Sequence, residues 1–210
     1  MSSNAWNAPA SADGQRAVVE EERQDFLRYP PYRELLLALA QFVGKSPVTL
    51  TDIGCGVGHY ALFLKAFAPN ITYRGFDSSQ HMIDHAKALV PDGDFTQRDM
   101  WRVTGLGSSD VVLLSATLEY AGDPWAWLKM AQKKMKVGAR VIIHRTRWHK
   151  SQSGVGPETI YGDKEIQRWY FNQYELAGFM HGCGFKPTVW QWQCRKDIGT
   201  MIGEKVDETE

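Results

Sequence analysis

The feature that most constrains the fold of this chain is a regular alternation of short apolar segments with helix-like segments between residues 48 and 144. Apolar runs at 48–53, 71–76 and 111–115 have the length and composition of buried strands. Each run is followed along the chain by a segment whose pattern indicates a helix. Strands that alternate with helices form a parallel sheet covered on both faces. We therefore predict a doubly wound α/β fold.

The complete pattern predicts seven strands and six helices in a Rossmann-like arrangement. Strands are expected at 48–53, 71–76, 94–98, 111–115, 139–144, 186–194 and 200–205, and helices at 15–29, 32–43, 59–67, 79–90, 124–135 and 174–183. A short turn at 196–199 joins the last two strands, so we expect them to close the mostly parallel sheet as an antiparallel hairpin.

The parts of the chain outside this alternation are assigned from their composition and position. Residues 1–14 are small and polar, and we expect them to be a disordered tail. Residues 15–210 are predicted to form a single domain, in which 15–45 are a helical lid over the ligand. The long irregular stretch at 146–170 is predicted to be a loop at the rim of a substrate site.

Composition excludes several classes of protein. The 24 basic residues are balanced by 24 acidic residues, whereas nucleic-acid-binding proteins usually carry a basic excess. The 3 cysteines lack the spacing of a zinc site and are too few for a disulfide framework. The sequence shows neither a secretory signal nor an apolar run of the ~20 residues that span a membrane. We therefore expect a cytoplasmic protein that binds neither nucleic acid nor a membrane.

The first strand runs into a glycine-rich turn with the sequence DIGCGVG, and a helix follows at once. Gly54, Gly56 and Gly58 permit positive φ and close approach of the backbone to a ligand. The helix that follows presents free N–H groups and a positive dipole end. We expect this turn, Cys55 included, to bind a polar or anionic tail, while Asp52 either orders the turn or contacts an ammonium group. The GxGxG spacing differs from the GxGxxG of dinucleotide-binding proteins.

Two further acids follow the next two strands. Asp77 lies roughly 20 residues beyond the glycines, where an acid contacts ribose hydroxyls, and Ser78 adjoins it. The alternative for this segment is a helix N-cap. Asp99 is expected to accept a hydrogen bond from an adenine amine, with Met100 donating its backbone N–H and Met82 packing on the base. Tyr60, beside the glycine turn, and Ser115, at the end of the fourth strand, are further candidates for contact with the same ligand.

Together these motifs resemble class I S-adenosylmethionine (SAM)-dependent methyltransferases over residues 48–145. The match consists of DIGCGVG for the glycine motif, GFDSS for the ribose-binding acid and QRDMW for the acid beside adenine. The resemblance implies a seven-stranded Rossmann-like sheet with an antiparallel C-terminal hairpin, and SAM as the cofactor. It does not specify the methyl acceptor.

A narrower resemblance extends over most of residues 50–192. The chain is similar to a family of small methyltransferases whose members often occur with bacterial cell-surface polysaccharide genes. The segments that carry this resemblance are LEY at 118–120, DP at 123–124, HRT at 144–146, PE at 157–158 and IY at 160–161. The family has an aspartate before Arg-Thr, whereas this chain has His144, so a shared catalytic role does not follow.

The catalytic candidates are residues that follow the fourth and fifth strands. His144 ends the fifth strand at the ligand edge, and histidine is the commonest general base; the alternative is a histidine that is hydrogen-bonded in the core. Glu119 is a candidate base or substrate ligand. His59 either caps the ligand pocket or simply starts the helix. No carboxylate has the spacing to complete a metal site with His144 and His149, so we expect no catalytic metal.

The substrate candidates lie on or near the expected rim loop. Arg145 and Arg147 are suited to bidentate contacts with a carboxylate or phosphate, although they are equally suited to solvent. The remaining candidates are aromatic or imidazole side chains of the same region, which also fit a packed lid: Tyr120, His149, Tyr161 and Trp169.

The sequence thus predicts methyl transfer to an oxygen or nitrogen of a small molecule, sugar-like or a secondary metabolite. Methyl transfer from SAM is an in-line displacement that requires alignment and exclusion of water, with general-base help for some acceptors. Three alternatives stay open: another reaction of a SAM-binding enzyme of this fold, such as a cyclase-like reaction, a non-catalytic SAM-binding protein, and a nicotinamide-dependent dehydrogenase. The expected partners are the small-molecule substrate and a second copy of the chain in a homodimer.

Overall fold

A seven-stranded sheet forms the centre of the computed structural model, which describes residues 6–42, 44, 46–160, 164–192 and 195–207. The strands of this sheet are β1 (Val48–Ile53), β2 (Ile71–Asp77), β3 (Asp94–Gln97), β4 (Val111–Ser115), β5 (Arg140–Arg147), β8 (Phe185–Trp192) and β9 (Arg195–Lys205). Their order across the sheet is β3-β2-β1-β4-β5-β9-β8. Strands β1 to β5 are parallel, and β9 pairs antiparallel with both β5 and β8. The predicted fold class and the terminal hairpin are confirmed, although residues 196–199 continue β9 rather than form a turn.

Helices cover both faces of this sheet. They are α1 (Pro9–Glu22), α2 (Pro30–Ala40), α3 (His59–Phe67), α4 (Gln80–Leu89), α5 (Pro124–Lys134) and α6 (Gln173–Gly182). Side chains alternate along β4, so Val112 and Leu114 pack with α5 and α6, while Val111 and Leu113 pack with α2 and α3. Among the helices that the structure describes, none is long and apolar enough to cross a bilayer.

The predicted disordered tail at 1–14 is wrong for its described part. Helix α1 begins at Pro9, a residue whose fixed φ suits the first turn of a helix. Ala12 and Val19 are buried against Val57 and Met82, so contacts with the glycine turn and α4 stabilise a helix that starts earlier and ends earlier than the helix predicted at 15–29. Residues 1–5 lie outside the described residues.

The predicted lid at 15–45 divides into two parts with different roles. Helix α1 lies over the glycine turn, as a lid would. Helix α2 instead buries Tyr32, Leu35 and Leu39 in the core cluster on one face of the sheet, so it is a structural layer. The apolar spacing in α2 is the reason, because an apolar stripe of this kind is buried against the sheet.

The predicted irregular loop at 146–170 is also wrong. Strand β5 continues to Arg147, and β6 (Gly154–Ile160) pairs antiparallel with β7 (Lys164–Tyr170) in a separate two-stranded sheet. This hairpin folds back onto the 3₁₀ helix Leu118–Tyr120 after β4. An isolated hairpin is marginal in water, so this packing explains why the local pattern alone did not predict it.

Candidate active site

One cavity of about 440 Å³ lies at the carboxyl ends of the parallel strands. It extends from the β3 end, where Asp99 and Met100 line it, to the β5 end, where Arg145 and His59 line it. Side chains of α1 and β7 contribute to its wall. Ligands of open α/β sheets bind at this edge, and pockets of this volume hold small molecules.

The glycine turn forms the middle of the cavity wall. Gly54 and Gly56 line the cavity with φ of +75° and +55°, values that only glycine adopts readily. A Cβ at Gly54 would clash with Thr117, and one at Gly56 would clash with Gln15. The N–H groups of Gly54 and Cys55 donate to the Phe76 carbonyl at 2.7 and 3.0 Å, which ties the turn to β2. The turn therefore presents bare backbone to a ligand, as predicted.

Asp77 connects the glycine turn with the start of α4. Its two carboxylate oxygens accept hydrogen bonds from the N–H groups of Gly56, at 3.0 Å, and Ser79, at 2.9 Å. Asp77 also lines the cavity together with Ser78 and Met82. Burial raises the pKa of Asp77, while these backbone donors act in the opposite direction. Ser79, rather than Asp77, caps α4 by accepting from the N–H of Met82.

Asp99 and Met100 form the β3 end of the cavity. An oxygen of Asp99 accepts from the N–H of Trp101 at 2.8 Å, and the carbonyl of Met100 accepts from the indole N–H of Trp127 at 3.1 Å. These bonds fix a short 3₁₀ helix, Met100–Arg102, at the strand end. Tyr60 and Ser115 also line the cavity, and the Ser115 hydroxyl donates to the Tyr60 hydroxyl at 3.0 Å.

Three residues that were predicted to bind the cofactor do not line the cavity. Asp52 is fully buried and accepts from the Tyr73 hydroxyl at 2.6 Å; burial raises its pKa to about 7. Cys55 packs in a core cluster, where burial raises the pKa of its thiol. Gly58 supplies the left-handed residue that starts α3. All three positions are buried behind the cavity wall, so the structure does not place Asp52 where it could contact an ammonium group in the cavity.

The prediction that His144 is a general base is wrong. Its side chain is fully buried and does not line the cavity. Nε2 lies 2.9 Å from the Pro31 carbonyl, which only accepts, so Nε2 carries the proton and Nδ1 accepts from Thr200 at 2.9 Å. Burial lowers the pKa of His144 to about 3. His144 is therefore a neutral core residue that connects β5 to α2 and β9.

Glu119 is likewise turned away from the cavity. It is buried next to Arg168, and burial raises its pKa to about 7. Its neighbour Tyr120 does line the cavity, and the Tyr120 hydroxyl donates to Glu158 at 2.7 Å. Arg168 holds the same carboxylate with contacts of 2.7 and 2.8 Å. These contacts connect the β6–β7 hairpin to the segment after β4. Glu119 lies beside Arg168 and is therefore part of the same structural cluster.

Some of the predicted substrate residues line the cavity and others do not. Arg145 lines the cavity, whereas Arg147 is exposed and outside it. His149 is exposed at 2.9 Å from the Ser151 hydroxyl, and Trp169 packs against Trp125 of α5 and against Phe171. The predictions that Arg147, His149 and Trp169 contact substrate are wrong, because none of them lines the cavity. Tyr161 lies outside the described residues.

Several residues at the cavity were not predicted from the sequence. Helix α1 contributes Gln15, Val19 and Glu22, and the Gln15 side chain accepts from the N–H of Val57 at 3.0 Å. No local pattern marks these positions, because only the packing of α1 on the glycine turn brings them there. His59 both starts α3 and lines the cavity, so the two interpretations of this residue hold together.

Comparison with known proteins assigns the chain to a family. A sequence model of the methyltransferase domain matches residues 20–196, which is most of the chain. The malonyl-[acyl-carrier protein] O-methyltransferase of Hahella chejuensis is 23% identical over 209 residues, which cover 89% of this chain and 70% of that protein.

Solved structures share the fold. The methyltransferase in complex with the Haloferax volcanii Trm112 methyltransferase activator superposes with a TM-score of 0.70 at 19% identity, over 97% of both chains. SAM-bound CalS10, an amino pentose methyltransferase from Micromonospora echinaspora, superposes with a TM-score of 0.65 at 13% identity, over 90% of this chain and 97% of that one.

The residues at the cavity fit SAM. An adenine amine and ribose hydroxyls need acceptors, which Asp99 and Asp77 supply at the wall. Gly54 and Gly56 present bare backbone to the same cavity, so the charged amino-acid tail can approach closely. The chain belongs to the methyltransferase domain family, and it is a methyltransferase whose cofactor is SAM.

Proposed function

We propose that this enzyme transfers the methyl group to an oxygen or nitrogen of a small molecule, sugar-like or a secondary metabolite. The observation that carries the proposal is the shape of the cavity. It continues beyond the glycine turn to Thr117, Tyr120 and Arg145, and α1 and β7 contribute to its walls. The cofactor and a small acceptor would therefore share this one cavity.

Two further observations support this acceptor class. The chain has no net charge, which disfavours a polyanionic acceptor such as nucleic acid. The Hahella chejuensis relative is named as an O-methyltransferase, and CalS10 is described as an amino pentose methyltransferase. The narrower resemblance found in the sequence supports a sugar-like acceptor.

The chain contributes alignment and exclusion of water to an in-line displacement, for which SAM supplies the methyl group when bound. Tyr120 is fixed in the cavity wall by Glu158, which Arg168 holds in turn. Burial and Glu158 together raise the pKa of Tyr120, so its hydroxyl keeps its proton. Tyr120 is therefore a hydrogen-bond partner rather than a base.

A general base is not required for every acceptor. His144 and Glu119 face away from the cavity, so neither removes a proton from the acceptor. A carboxylate oxygen is already deprotonated at neutral pH, and an amine that has lost its proton carries a free electron pair. We propose that such a nucleophile, aligned with the methyl group, accounts for the reaction.

The test is to incubate the enzyme with methyl-labelled SAM and a cell extract divided into low-molecular-mass and macromolecular fractions. We expect S-adenosylhomocysteine (SAH) to form and the label to appear in small molecules, and to be lost with Asp77→Ala. Label in the protein or nucleic-acid fraction would contradict the acceptor class. SAM consumption without SAH would point instead to a reaction other than methyl transfer.

A further inference from the structure

The β5 end of the cavity contains polar groups to which neither the adenosine part of SAM nor the alignment of the methyl group assigns a role. Glu22 of α1, His59 and Tyr60 of α3, and Arg145 of β5 all line it. In the sheet order, β5 lies four strand spacings from β3, a separation of roughly 19 Å. Arg145 is therefore far from Asp99, which lies at the β3 end of the same cavity.

Arg145 is held in an unusual backbone conformation. Its φ is +58°, in the left-handed region, and it lies within the register shift of β5 against β9 between Ile143 and Thr146. A residue other than glycine adopts this conformation only with strain, and bulges of this kind change the direction of a side chain. The irregularity turns the Arg145 side chain toward the cavity, whereas Arg147 on the same strand is exposed.

The charge of Arg145 has no carboxylate partner at contact distance among the residues that the structure describes. Among the ion pairs within 4 Å in the described part of the chain, none includes Arg145. The Tyr60 hydroxyl lies beside the guanidinium, and Glu22 interacts with it at longer range. One oxygen of Glu22 accepts instead from the Tyr32 hydroxyl at 2.6 Å. A half-buried guanidinium in this situation is stabilised by an anion from outside the chain.

His59 supplies a second, independent observation. Its side chain is 94% buried, and neither ring nitrogen has a hydrogen-bond partner among the described residues. The ring lies between Tyr60, at 4.3 Å between centroids, and Tyr32, at 6.1 Å. Burial, with Arg145 nearby, lowers the pKa of His59 to about 3, so the neutral ring offers one N–H donor. A buried donor without a partner is destabilising unless a ligand satisfies it.

We propose that Arg145 and His59 together bind a carboxylate group at the β5 end of the cavity. The guanidinium offers the paired N–H donors that match a carboxylate, and His59 and Tyr60 can add single donors. The carboxylate has two sources, the amino-acid tail of the cofactor or the methyl acceptor, and this inference rests on the proposed function for the second. It assigns His59 and Arg145 to ligand binding rather than to proton transfer.

Calorimetry with two probes tests the first source. SAH carries the amino-acid carboxylate, whereas 5′-methylthioadenosine lacks it. If the cofactor supplies the carboxylate, Arg145→Gln and His59→Phe weaken SAH binding, Arg145→Gln by roughly 10- to 100-fold, and leave methylthioadenosine binding unchanged. Arg147→Gln is the matched control, since that arginine is exposed on the same strand, and Arg145→Lys should recover part of the affinity.

A second pair of probes tests the acceptor. With SAH bound, malonate and its uncharged analogue malonamide are titrated into the wild-type protein and the same variants. If the acceptor supplies the carboxylate, malonate but not malonamide binds, Arg145→Gln abolishes that binding, and SAH affinity is unchanged. Absence of methylated product in the labelling experiment would refute the proposed function without affecting either binding comparison.

Two outcomes overturn the inference. One is an equal loss of affinity for SAH and methylthioadenosine in Arg145→Gln, which shows a structural effect. The other is unchanged SAH binding in both variants with no preference for malonate over malonamide. The melting temperature of His59→Phe separates folding from binding, because removing two unpartnered nitrogens should leave it unchanged or raise it.

Discussion

The two ends of the cavity differ in how they are assembled. At the β3 end, Asp77, Asp99 and their neighbours come from consecutive strand–helix units between residues 52 and 101. At the β5 end, the wall combines α1, α3, β5 and β7, whose contributing residues extend from Gln15 to Gln167. The residues of the β3 end directly follow strands, so the order of strands and helices along the chain determines where they lie. The second depends on long-range packing, and there the sequence predictions were mostly wrong.

The largest expected effect is that of Asp77→Ala, which removes a carboxylate from the β3 end of the cavity. SAH binding should weaken roughly 100-fold, because this substitution removes a ligand contact and the acceptor for the Gly56 N–H. Asp77→Asn retains an oxygen acceptor and should lose less. Calorimetric titration with SAH measures both, and a loss below about 3-fold in Asp77→Ala would refute the role of this carboxylate.

His144→Ala should affect stability rather than chemistry. Loss of the hydrogen bonds to Pro31 and Thr200 and of the buried ring should reduce the free energy of unfolding by about 2 kcal/mol. Urea denaturation measures this change, and SAH affinity should be unaltered. A pH inflection in kcat that disappears in His144→Ala would restore this histidine as a base.

Glu119→Gln should change the pH dependence of stability. Burial raises the pKa of Glu119 from 4.5 to about 7, so the folded protein retains a proton that the unfolded chain releases across this range. Stability from this group is therefore present at low pH and is lost as pH rises from about 4.5 to 7. Between pH 5 and 6 the loss is about 1.2 kcal/mol. Urea denaturation at both values should show a smaller decrease in Glu119→Gln; identical slopes would contradict the assignment.

The smallest effect is expected at the contact between α1 and the glycine turn. Gln15→Ala removes the acceptor for the Val57 N–H and should weaken SAH binding about 5-fold. Arg16→Ala is the control, because its side chain is exposed on the same helix. An equal loss in both variants would indicate a general effect on α1 rather than this hydrogen bond.

Much of the fold was predictable because its signals are local. Strand β1 and helix α3 have the predicted bounds, and β2, α4 and α5 differ by one or two residues. The apolar runs and the caps at Ser79 and Asp123 lie within a few residues of the boundaries that they set. The hairpin of β6 and β7 and the first turns of α1 were missed because their stability comes from contacts distant in sequence.

By itself, the sequence determined the order of strands β1 to β5 and helices α3 to α5, and the position of the glycine turn, Asp77 and Asp99. The order follows from the local periodicity of apolar residues. The position of the ligand-binding residues follows because ligands bind outside the carboxyl ends of the parallel strands. Only the tertiary structure decided which side chains near β4 and β5 reach the cavity. The regular alternation of β5 directs His144 toward α2, behind the cavity wall. The irregularity that follows it brings Arg145 into the wall.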